Sequence, residues 1–279
     1  KLEEELNVKI FDRGTKPIKL TEVGIKIVEQ ARKVVIEAER MQDIVSIEKG
    51  FIGGPYRLGI ISTVMPTLLP MFLSTFVKRY PKVNLIIREL TTDEILTGLR
   101  EGKLDAAIAA TPLETSDLIE RPLYYEPFVG HLPEGHRLND KTELKAEDLN
   151  LEEVLLLQDG HCFRDNILNL CDMNLNNRDK KFTIESGSFE TLVQLSDERM
   201  GMTLLPYLHT LGLKENQKKG LKHFEKPEPA REISLIYSKS ELKIQITEAL
   251  REVISGIIRG AISFHDVQII SPKQKERFR

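Results

Sequence analysis

The 279-residue chain has no tryptophan and only two cysteines, Cys162 and Cys171, which stand nine positions apart. So few thiols in a chain of this length argue against a disulfide framework, because disulfide-stabilised folds are small and rich in cysteine. Two cysteines and scattered histidines also lack the spacing of a zinc site. The residues alone leave two readings open for this pair, redox chemistry or two inert buried thiols.

Long apolar runs are missing as well. No run reaches the roughly 18 apolar residues that a membrane span requires. The first residues, KLEEELNVKIFDRG, are charged and contain no apolar stretch of the kind found in secretion signals. We therefore expect a cytoplasmic location and no contact with a membrane.

An excess of positive charge is also absent, since the formal net charge is −3. This value argues against a protein that binds nucleic acid over its whole surface. Positive charge is nevertheless concentrated locally, because Lys9, Arg13, Lys16 and Lys19 stand against Asp12 alone in their segment. Taken singly, each of these side chains is more often a solvated surface charge.

The first 55 residues contain the signals of three short elements and one long one. A helix is predicted over KLEEELNV, and two short strands are predicted around the turn at 14–17. From 21 to 49 the apolar residues recur at steps of three and four, which predicts a long amphipathic helix. A helix of this length with an apolar stripe favours packing against a partner, and the glycines at 50–54 indicate a linker.

From Tyr56 onward the pattern changes to alternating strands and helices, which predicts an α/β protein. Strand, helix, strand, helix and strand over 56–110 indicate a right-handed parallel unit. A second unit is predicted with strands at 151–158, 180–187 and 201–206 and a helix over CFRDNILNLC. The late strand REISLIYSK is expected to return to the first unit. Two such lobes would form a crevice, the usual ligand site of this architecture.

The order of these elements is similar to that of a known family. The stretch KLEEELNVKIFDRGTKPIKLTEVG resembles the end of the recognition helix and the wing of LysR-type transcriptional regulators, and LREGKLDAAI and GMTLLP resemble their regulatory domain. The resemblance implies a truncated winged helix-turn-helix remnant and a linker helix, followed by a two-lobed, periplasmic-binding-protein-like regulatory domain. Most of the helix-turn-helix would then precede residue 1. The implied segments are 1–22 for the remnant, 23–50 for the linker and dimerisation helix, 54–125 with 232–270 for lobe I, and 126–231 for lobe II with the cysteines.

The stretch DGHCFRD, with a second cysteine nine residues after the first, resembles the peroxide sensors of that family. The resemblance implies that Cys162 reacts with hydrogen peroxide and that Cys171 resolves the product as a disulfide. STVMPTLLP is similar to the segment with the family's peroxide-binding threonine, and KPEPAR matches as well. The peroxide-binding residues implied in this way are Thr63, Thr92, His161, Asp165 and Arg231.

The resemblance also implies partners. They are DNA, hydrogen peroxide, further copies of the chain in a homodimer or homotetramer, RNA polymerase and a reducing thiol system. It implies a transcription activator, no cofactor, and no enzyme activity. In the wing, Arg13, Lys16 and Lys19 are candidates for phosphate contacts, although the resemblance supports the wing rather than their individual roles.

Peroxide chemistry at Cys162 requires the thiolate, which is a minor form of an ordinary thiol near neutral pH. Cys162 begins a predicted helix, where the partial positive charge of the helix N-terminus favours an anion. Because Arg164, His161 and Arg231 could add positive charge or hydrogen-bond donors, we expect a depressed thiol pKa. A purely structural role stays open for three residues. His161 could be a helix cap, and Thr63 and Thr92 could cap the helices that follow them.

The predicted helix also sets the distance between the thiols. Nine residues of continuous helix rise roughly 13 Å, whereas a disulfide needs Cα atoms within about 7 Å. Cys162 and Cys171 therefore cannot bond while the helix stands, and oxidation would have to melt it. Asparagines are poor helix formers and are expected to lower the cost of melting. They are Asn166, Asn169, Asn174, Asn176 and Asn177.

Two further functions are compatible with the same sequence. One is a LysR-type regulator that binds a small metabolite between its lobes and has inert cysteines. The other is a thiol peroxidase, which the wing and the long helix disfavour.

Overall fold

The N-terminal part of the computed structural model contains one short helix, a hairpin and one long helix. The structure describes residues 1–48, 52–113, 115–171, 184–262 and 266–272. The hairpin strands pair antiparallel, with Phe11 opposite Leu20, as the sequence predicts. Gly24 lies against the hairpin so closely that a Cβ atom there would be 2.0 Å from the backbone oxygen of Ile10. The elements are α1 (Leu2–Glu5), β1 (Phe11–Asp12), β2 (Lys19–Leu20) and α2 (Glu22–Glu48).

The long helix α2 confirms the amphipathic helix predicted at 21–49. Within the described part of the chain its apolar stripe is open to solvent, because Val34, Val35, Met41, Ile44 and Val45 are all exposed. Apolar side chains repeated along one face of a helix are stable when a second surface covers them. The helix thus has the surface expected of a dimerisation element.

Lobe I is a sheet flanked by helices. Strand β3 pairs parallel with β4 on one side and with β5 on the other, which confirms the predicted parallel unit. The strand β10 pairs antiparallel with β5, so the late strand returns to the first unit as predicted. The elements are β3 (Gly54–Ile61), α3 (Met65–Arg79), β4 (Val83–Leu90), α4 (Thr92–Arg100), β5 (Ala106–Thr111), β10 (Glu228–Ser238) and α9 (Ile244–Ala261).

Lobe II is joined to lobe I through two long strands. Strand β6 pairs antiparallel with β10 and continues into lobe II, where it pairs with β8. The hydrogen-bonded order is therefore β4-β3-β5-β10-β6-β8-β7 through both lobes. The remaining elements are β6 (Leu118–His131), a 3-10 turn (Ala146–Asp148), β7 (Val154–Leu155), α5 (Cys162–Leu170), α6 (Phe189–Asp197), β8 (Met202–Pro206), α7 (Tyr207–Thr210), α8 (Glu215–Lys218), β9 (Leu221–Lys222) and β11 (Val267–Ile269).

Each lobe has its own hydrophobic core. The lobe I core is built from β3, α3, β5, β10 and α9, whereas the lobe II core is built from β6, β7, β8 and the helices α5 and α6. A chain of this length has enough apolar surface for two such cores. The two-lobed α/β architecture expected from the sequence is thus present, with the lobes connected by β6 and β10.

Two elements differ from the sequence predictions. The strand predicted at 151–158 is reduced to Val154–Leu155. Residues 151–153 form a turn in which the Glu153 backbone N–H bonds the Asn150 oxygen, and at the other end Gln158 donates its backbone N–H to the Ser186 oxygen outside the sheet. Of the strand predicted at 180–187, residues 180–183 lie outside the described part, and 184–187 form no strand. Among the described residues, no helix combines the length and the apolar character that crossing a membrane demands.

Candidate functional site

The helix α5 carries Cys162 in its first position and ends where Cys171 forms its C-cap, as predicted. Its apolar residues face lobe II, where the Phe163 ring makes edge contacts with Phe128 and Phe189 at centroid distances of 5.3 and 5.0 Å. Burial of a phenylalanine side chain contributes roughly 1.5–3 kcal/mol. The helix is therefore held mainly by the lobe II core.

The two thiols lie in different cores although they share one helix. Cys162 belongs to the lobe I core and Cys171 to the lobe II core. Both are free and buried. The intact helix separates their Cα atoms by roughly 13 Å, well beyond the reach of a disulfide. Joining them requires that at least one thiol leave its core.

A small cavity lies beside the Cys162 thiol. Its volume is about 10 Å³, measured as space for the centre of a water-sized molecule. That is close to the minimum volume that one water needs, roughly 10–15 Å³. Hydroxyl groups, an imidazole and a thiol line it together. The lining residues are Ile61, Ser62, Thr63, Leu90, Thr91, Thr92, Gly160, His161 and Cys162.

Behind the cavity, Arg231 is fully buried and donates to Thr63. Its Nη1 lies 2.9 Å from Thr63 Oγ1, and its Nη2 lies 3.1 Å from the Thr63 carbonyl oxygen. The guanidinium also lies over the Phe163 ring at 5.1 Å, within the range of a cation–π contact. A carboxylate, Glu126, completes its surroundings, with Oε2 at 2.8 Å from Nη2.

The pKa of the Cys162 thiol is raised above its ordinary value, mainly because the side chain is buried. The charge of Arg231 and hydrogen bonds with Thr92 and Thr63 act in the opposite direction. The expectation of a depressed pKa is therefore wrong for the reduced protein. The sequence showed the groups that favour the thiolate, but it did not show how completely the thiol is removed from water.

Thr63 and Thr92 are not helix caps in this structure. The N-cap of α3 is Val64, and the Thr63 hydroxyl accepts from Arg231 instead. The cap of α4 is Thr91, which forms a reciprocal capping box with Glu94. The hydroxyls of Thr63 and Thr92 are thereby available to the thiol.

His161 occupies the N-cap position of α5, but its side chain makes no capping hydrogen bond. Its Nδ1 lies 3.0 Å from the hydroxyl oxygen of Ser62. On its other side is Gly187, where a Cβ atom would lie 2.8 Å from the imidazole Nε2. Burial lowers the pKa of His161, so the ring is neutral at neutral pH. Of the two contributions expected from it, charge or hydrogen bonding, the structure favours hydrogen bonding.

Arg164 and Asp165 lie on α5 but not in the cavity wall. Arg164 pairs with Asp159 at 2.7 Å and donates to the Leu157 carbonyl oxygen at 2.9 Å. It fixes the loop before the helix, and it is not among the groups that shift the pKa of Cys162. Asp165 is half-buried, and its charge raises the pKa of Cys162.

At the other end of α5, burial alone raises the pKa of Cys171 to about 12. Asn166 and Asn169 donate their side-chain amides to the backbone oxygens of Ile270 and Ser271, at 2.7 and 2.9 Å. These bonds tie α5 to the segment after β11, while the other side-chain atom of Asn166, Oδ1, is buried without a partner among the described residues. That the two asparagines lower the cost of melting stays a prediction. Asn174, Asn176 and Asn177 lie outside the described residues.

Sequence reasoning missed three participants in this site: Ser62, Glu126 and Leu208. Each acts through a partner that is remote in sequence. Ser62, the first residue of STVMPTLLP, contacts His161, whereas Glu126 accepts from Arg231 and from the Leu208 backbone N–H. The wing residues Arg13, Lys16 and Lys19 are exposed on the N-terminal hairpin and do not line the cavity. Within the described ranges, no cluster of histidine, cysteine, aspartate and glutamate side chains could hold a metal ion.

Comparison with known proteins gives a consistent result. Residues 49–256 match the LysR substrate binding domain. The chain is 34% identical over 262 residues to the "Hydrogen peroxide-inducible genes activator" of Pectobacterium carotovorum, covering 92% of this chain and 85% of that protein. Identity and coverage are the same for the "DNA-binding transcriptional dual regulator OxyR" of Escherichia coli.

Solved structures agree with these relatives. A full-length OxyR variant from Pseudomonas aeruginosa matches with a TM-score of 0.72 and 31% identity, covering 91% of this chain and 85% of that one. An OxyR variant from Corynebacterium glutamicum with hydrogen peroxide bound matches with a TM-score of 0.68 and 29% identity, covering 93% of this chain and 82% of that one.

Proposed function

The chain belongs to the OxyR regulators of the LysR family, and on that premise we propose that it regulates transcription in response to hydrogen peroxide. Peroxide oxidises Cys162, a disulfide forms with Cys171, and the 162–171 segment refolds. The refolding changes the packing of the oligomer. The observation that carries this proposal is a water-sized cavity lined by a thiol and by donor hydroxyls.

The size of the cavity favours peroxide over a metabolite. The free space of about 10 Å³ beside Cys162 is near the least that one water needs, so an organic acid is far too large for it. Where the lobes meet, Arg231, Glu126 and Phe163 are fully buried. A metabolite would have to displace a buried ion pair, so metabolite binding is the weaker alternative.

The first chemical step takes place at Cys162. The thiolate attacks one peroxide oxygen, an S–O bond forms, the O–O bond breaks, and the second oxygen leaves as hydroxide, which takes up a proton to become water. Donors aimed at developing negative charge stabilise such a step. Thr63, Thr92 and Arg231 supply them, and they offset the burial that raises the pKa of the thiol.

The second step joins the thiols. The Cys171 sulfur attacks the sulfenic acid of Cys162, the S–S bond forms, and the S–O bond breaks with loss of a second hydroxide. The two thiols together supply the two electrons that reduce peroxide to water. Because α5 holds them in separate cores, the bond can form only after helix and packing are lost locally, as in a switch.

The regulator acts through further copies of the chain and through DNA. We assign residues 1–22 to a winged helix-turn-helix and 23–50 to the linker and dimerisation helix. The exposed apolar stripe of α2 supports this assignment. Homodimers or homotetramers would carry the change at lobe II to DNA, where Arg13, Lys16 and Lys19 are candidates for phosphate contacts. RNA polymerase and a reducing thiol system are the further partners in this proposal.

Regulation fits the chain better than catalysis. A peroxidase would need repeated reduction of the disulfide, and each cycle here would have to unfold and refold a helix whose Phe163 is fully buried. The cycle is therefore suited to slow signalling rather than turnover.

The direct test is reaction of the reduced protein with one equivalent of hydrogen peroxide. We expect a mass loss of two hydrogen atoms and a disulfide between Cys162 and Cys171, found by peptide mapping. A protein that ignores peroxide but is thermally stabilised by a small organic acid would contradict the proposal.

A further inference from the structure

A carboxylate outside the peroxide cavity is built into the same hydrogen-bonded arrangement. Glu126 on β6 stands directly opposite Arg231 on β10 in the antiparallel ladder. Both side chains are fully buried. These are the two strands that connect the lobes, so the pair lies where lobe I and lobe II meet. A buried ion pair is costly in desolvation and is weak grounds for a purely stabilising role.

Both oxygens of Glu126 accept hydrogen bonds. Oε2 accepts from Arg231 Nε at 2.9 Å and from Nη2 at 2.8 Å, and Oε1 accepts from the Leu208 backbone N–H at 2.9 Å. Only a carboxylate offers acceptors on both sides, because an amide has a donor in place of one oxygen. The position is thus chemically specific for an acid, and it links α7 of lobe II to the guanidinium.

The guanidinium in turn determines the orientation of the Thr63 hydroxyl. Arg231 Nη1 donates to Thr63 Oγ1, so the oxygen is used as an acceptor and its own hydrogen is free to point elsewhere. The thiol of Cys162 is a hydrogen-bonding partner of that hydroxyl. The chain of contacts runs from Leu208 through Glu126, Arg231 and Thr63 to the sulfur.

We propose that Glu126 is a positioning residue of the peroxide site: it holds Arg231 so that Thr63 donates to Cys162, and it offsets the guanidinium charge felt by the thiol. This inference rests on the proposed peroxide function. It assigns to Glu126 a role in thiol reactivity beyond filling the space between the lobes.

The sign of the electrostatic effect follows from the neighbouring groups. Burial lowers the pKa of His209 and raises the pKa of Tyr124, so neither carries charge at neutral pH. Removing the Glu126 charge therefore leaves Arg231 without its nearest anion, and the thiolate of Cys162 becomes the favoured partner. The titratable groups that face this cluster are Tyr124 on β6, His161 and Asp165 on α5, Glu190 on α6 and His209 on α7.

The test measures the thiolate without peroxide. In a Cys171→Ser background, the rate of alkylation of Cys162 by iodoacetamide is followed by intact mass as a function of pH. We expect Glu126→Gln to move the midpoint to lower pH by up to roughly one unit, the scale of an unpaired neighbouring charge. The charge of Arg231 acts on the thiol more strongly than the Thr63 hydrogen bond that the variant loosens, so the downward shift prevails. An unchanged or higher midpoint would overturn the proposal.

The chain offers a matched control in Asp105. This buried carboxylate also bonds a cation with one oxygen, Lys243 at 3.1 Å, and a backbone N–H with the other, Arg57 at 2.6 Å. Asp105→Asn removes the same kind of pair away from the thiol and is expected to leave the midpoint where it is. An equal shift in both variants would contradict a specific role for Glu126.

A second variant covers the case in which Glu126→Gln fails to fold. Glu126→Asp keeps the charge but shortens the reach to Arg231, so the alkylation midpoint is expected to stay while peroxide oxidation slows several-fold. An unchanged peroxide rate would overturn the positioning role. If the parent protein does not react with peroxide at all, the proposed function fails, whereas the alkylation midpoints still decide the role of Glu126.

Discussion

The two ends of α5 carry the same functional group in opposite surroundings. Cys162 and Cys171 are almost equally buried, with exposed fractions of 7% and 9%. Around Cys162, Arg231, Thr63 and Thr92 favour the thiolate, whereas burial alone acts on Cys171. Because burial is matched, the difference must come from neighbouring donors and charge. Reactivity in this helix is a property of the partners that the fold supplies, not of exposure.

The comparison also separates the timing of the two reactions. Cys162 can react in place, since its cavity and donors exist in the folded protein. Among the described residues, Cys171 has neither a donor nor a route to the other core while α5 is intact. In the proposed mechanism the first thiol therefore senses peroxide, and the second responds only after the structure has opened.

The largest effect is expected from removing either thiol. Cys162→Ser should abolish all peroxide-dependent change, because no sulfenic acid can form. Cys171→Ser should still give sulfenic acid at Cys162, detected by intact mass and by dimedone trapping, but no intramolecular disulfide. If Cys162→Ser kept a peroxide-dependent transition, the assignment of the sensing thiol would be wrong.

A smaller effect is expected when one donor at the Cys162 end is lost. Thr63→Val removes a hydroxyl that accepts from Arg231 and bonds the thiol. Stopped-flow measurement at neutral pH should show peroxide oxidation slowed roughly 100- to 1000-fold, as for loss of a preorganised donor. The matched control is Thr67→Val, whose hydroxyl bonds only the Val64 carbonyl oxygen within α3. Equal rates of peroxide oxidation in Thr63→Val and Thr67→Val would contradict the role of the Thr63 hydroxyl at Cys162.

At the Cys171 end, the expected effect is on stability at alkaline pH. Its pKa is about 12 in the fold, against an ordinary value of 9.0. The unfolded chain therefore loses this proton first as pH rises, and the stability contributed by the neutral thiol is full below about 9 and declines toward about 12. Urea unfolding under reducing conditions measures this effect. Between pH 9 and 10 the free energy of unfolding of the parent should fall by roughly 1 kcal/mol more than that of Cys171→Ala.

The window from pH 9 to 10 is chosen because of Tyr56 and Tyr124, whose pKa values are raised well above 10. These tyrosines affect the pH dependence of the free energy of unfolding mainly above this window. Between pH 7 and 8 the parent and the variant should show the same pH dependence. Equal slopes between pH 9 and 10 would mean that burial does not suppress ionisation of Cys171.

The smallest effect is expected where α5 is tied to the C-terminal segment. Asn169→Ala removes the bond to the Ser271 backbone oxygen and should lower the free energy of unfolding by about 1 kcal/mol. Disulfide formation after oxidation of Cys162 should become faster, with the first step unchanged. The control is Asn139→Ala, which loses a similar bond to the Pro133 backbone oxygen in lobe II. A slower second step in Asn169→Ala would contradict the restraining role.

Much of this comparison could be predicted from local sequence. The periodicity around Cys162 predicts α5, and the alternation of strands and helices predicts two α/β lobes. The separation of the thiols then follows from the rise of a helix alone. These features depend on residues that are close together in the chain, so patterns report them well.

The surroundings of the thiols could not be predicted in the same way. Arg231 and Glu126 stand 105 positions apart in sequence and meet only because β6 and β10 pair in one register. Burial of Cys162 depends on the closure of both lobes, so its raised pKa was missed. Asn169 was interpreted by its helix propensity, which cannot show that its side chain binds a distant backbone oxygen.

The most direct test is the distance between the sulfurs of Cys162 and Cys171, determined crystallographically before and after peroxide treatment. The account predicts sulfurs far beyond bonding distance with α5 intact in the reduced protein. After oxidation it predicts a bond of about 2 Å and no helix over 162–170. A disulfide formed with α5 still intact, or oxidised protein whose sulfurs remain in separate cores, would contradict it.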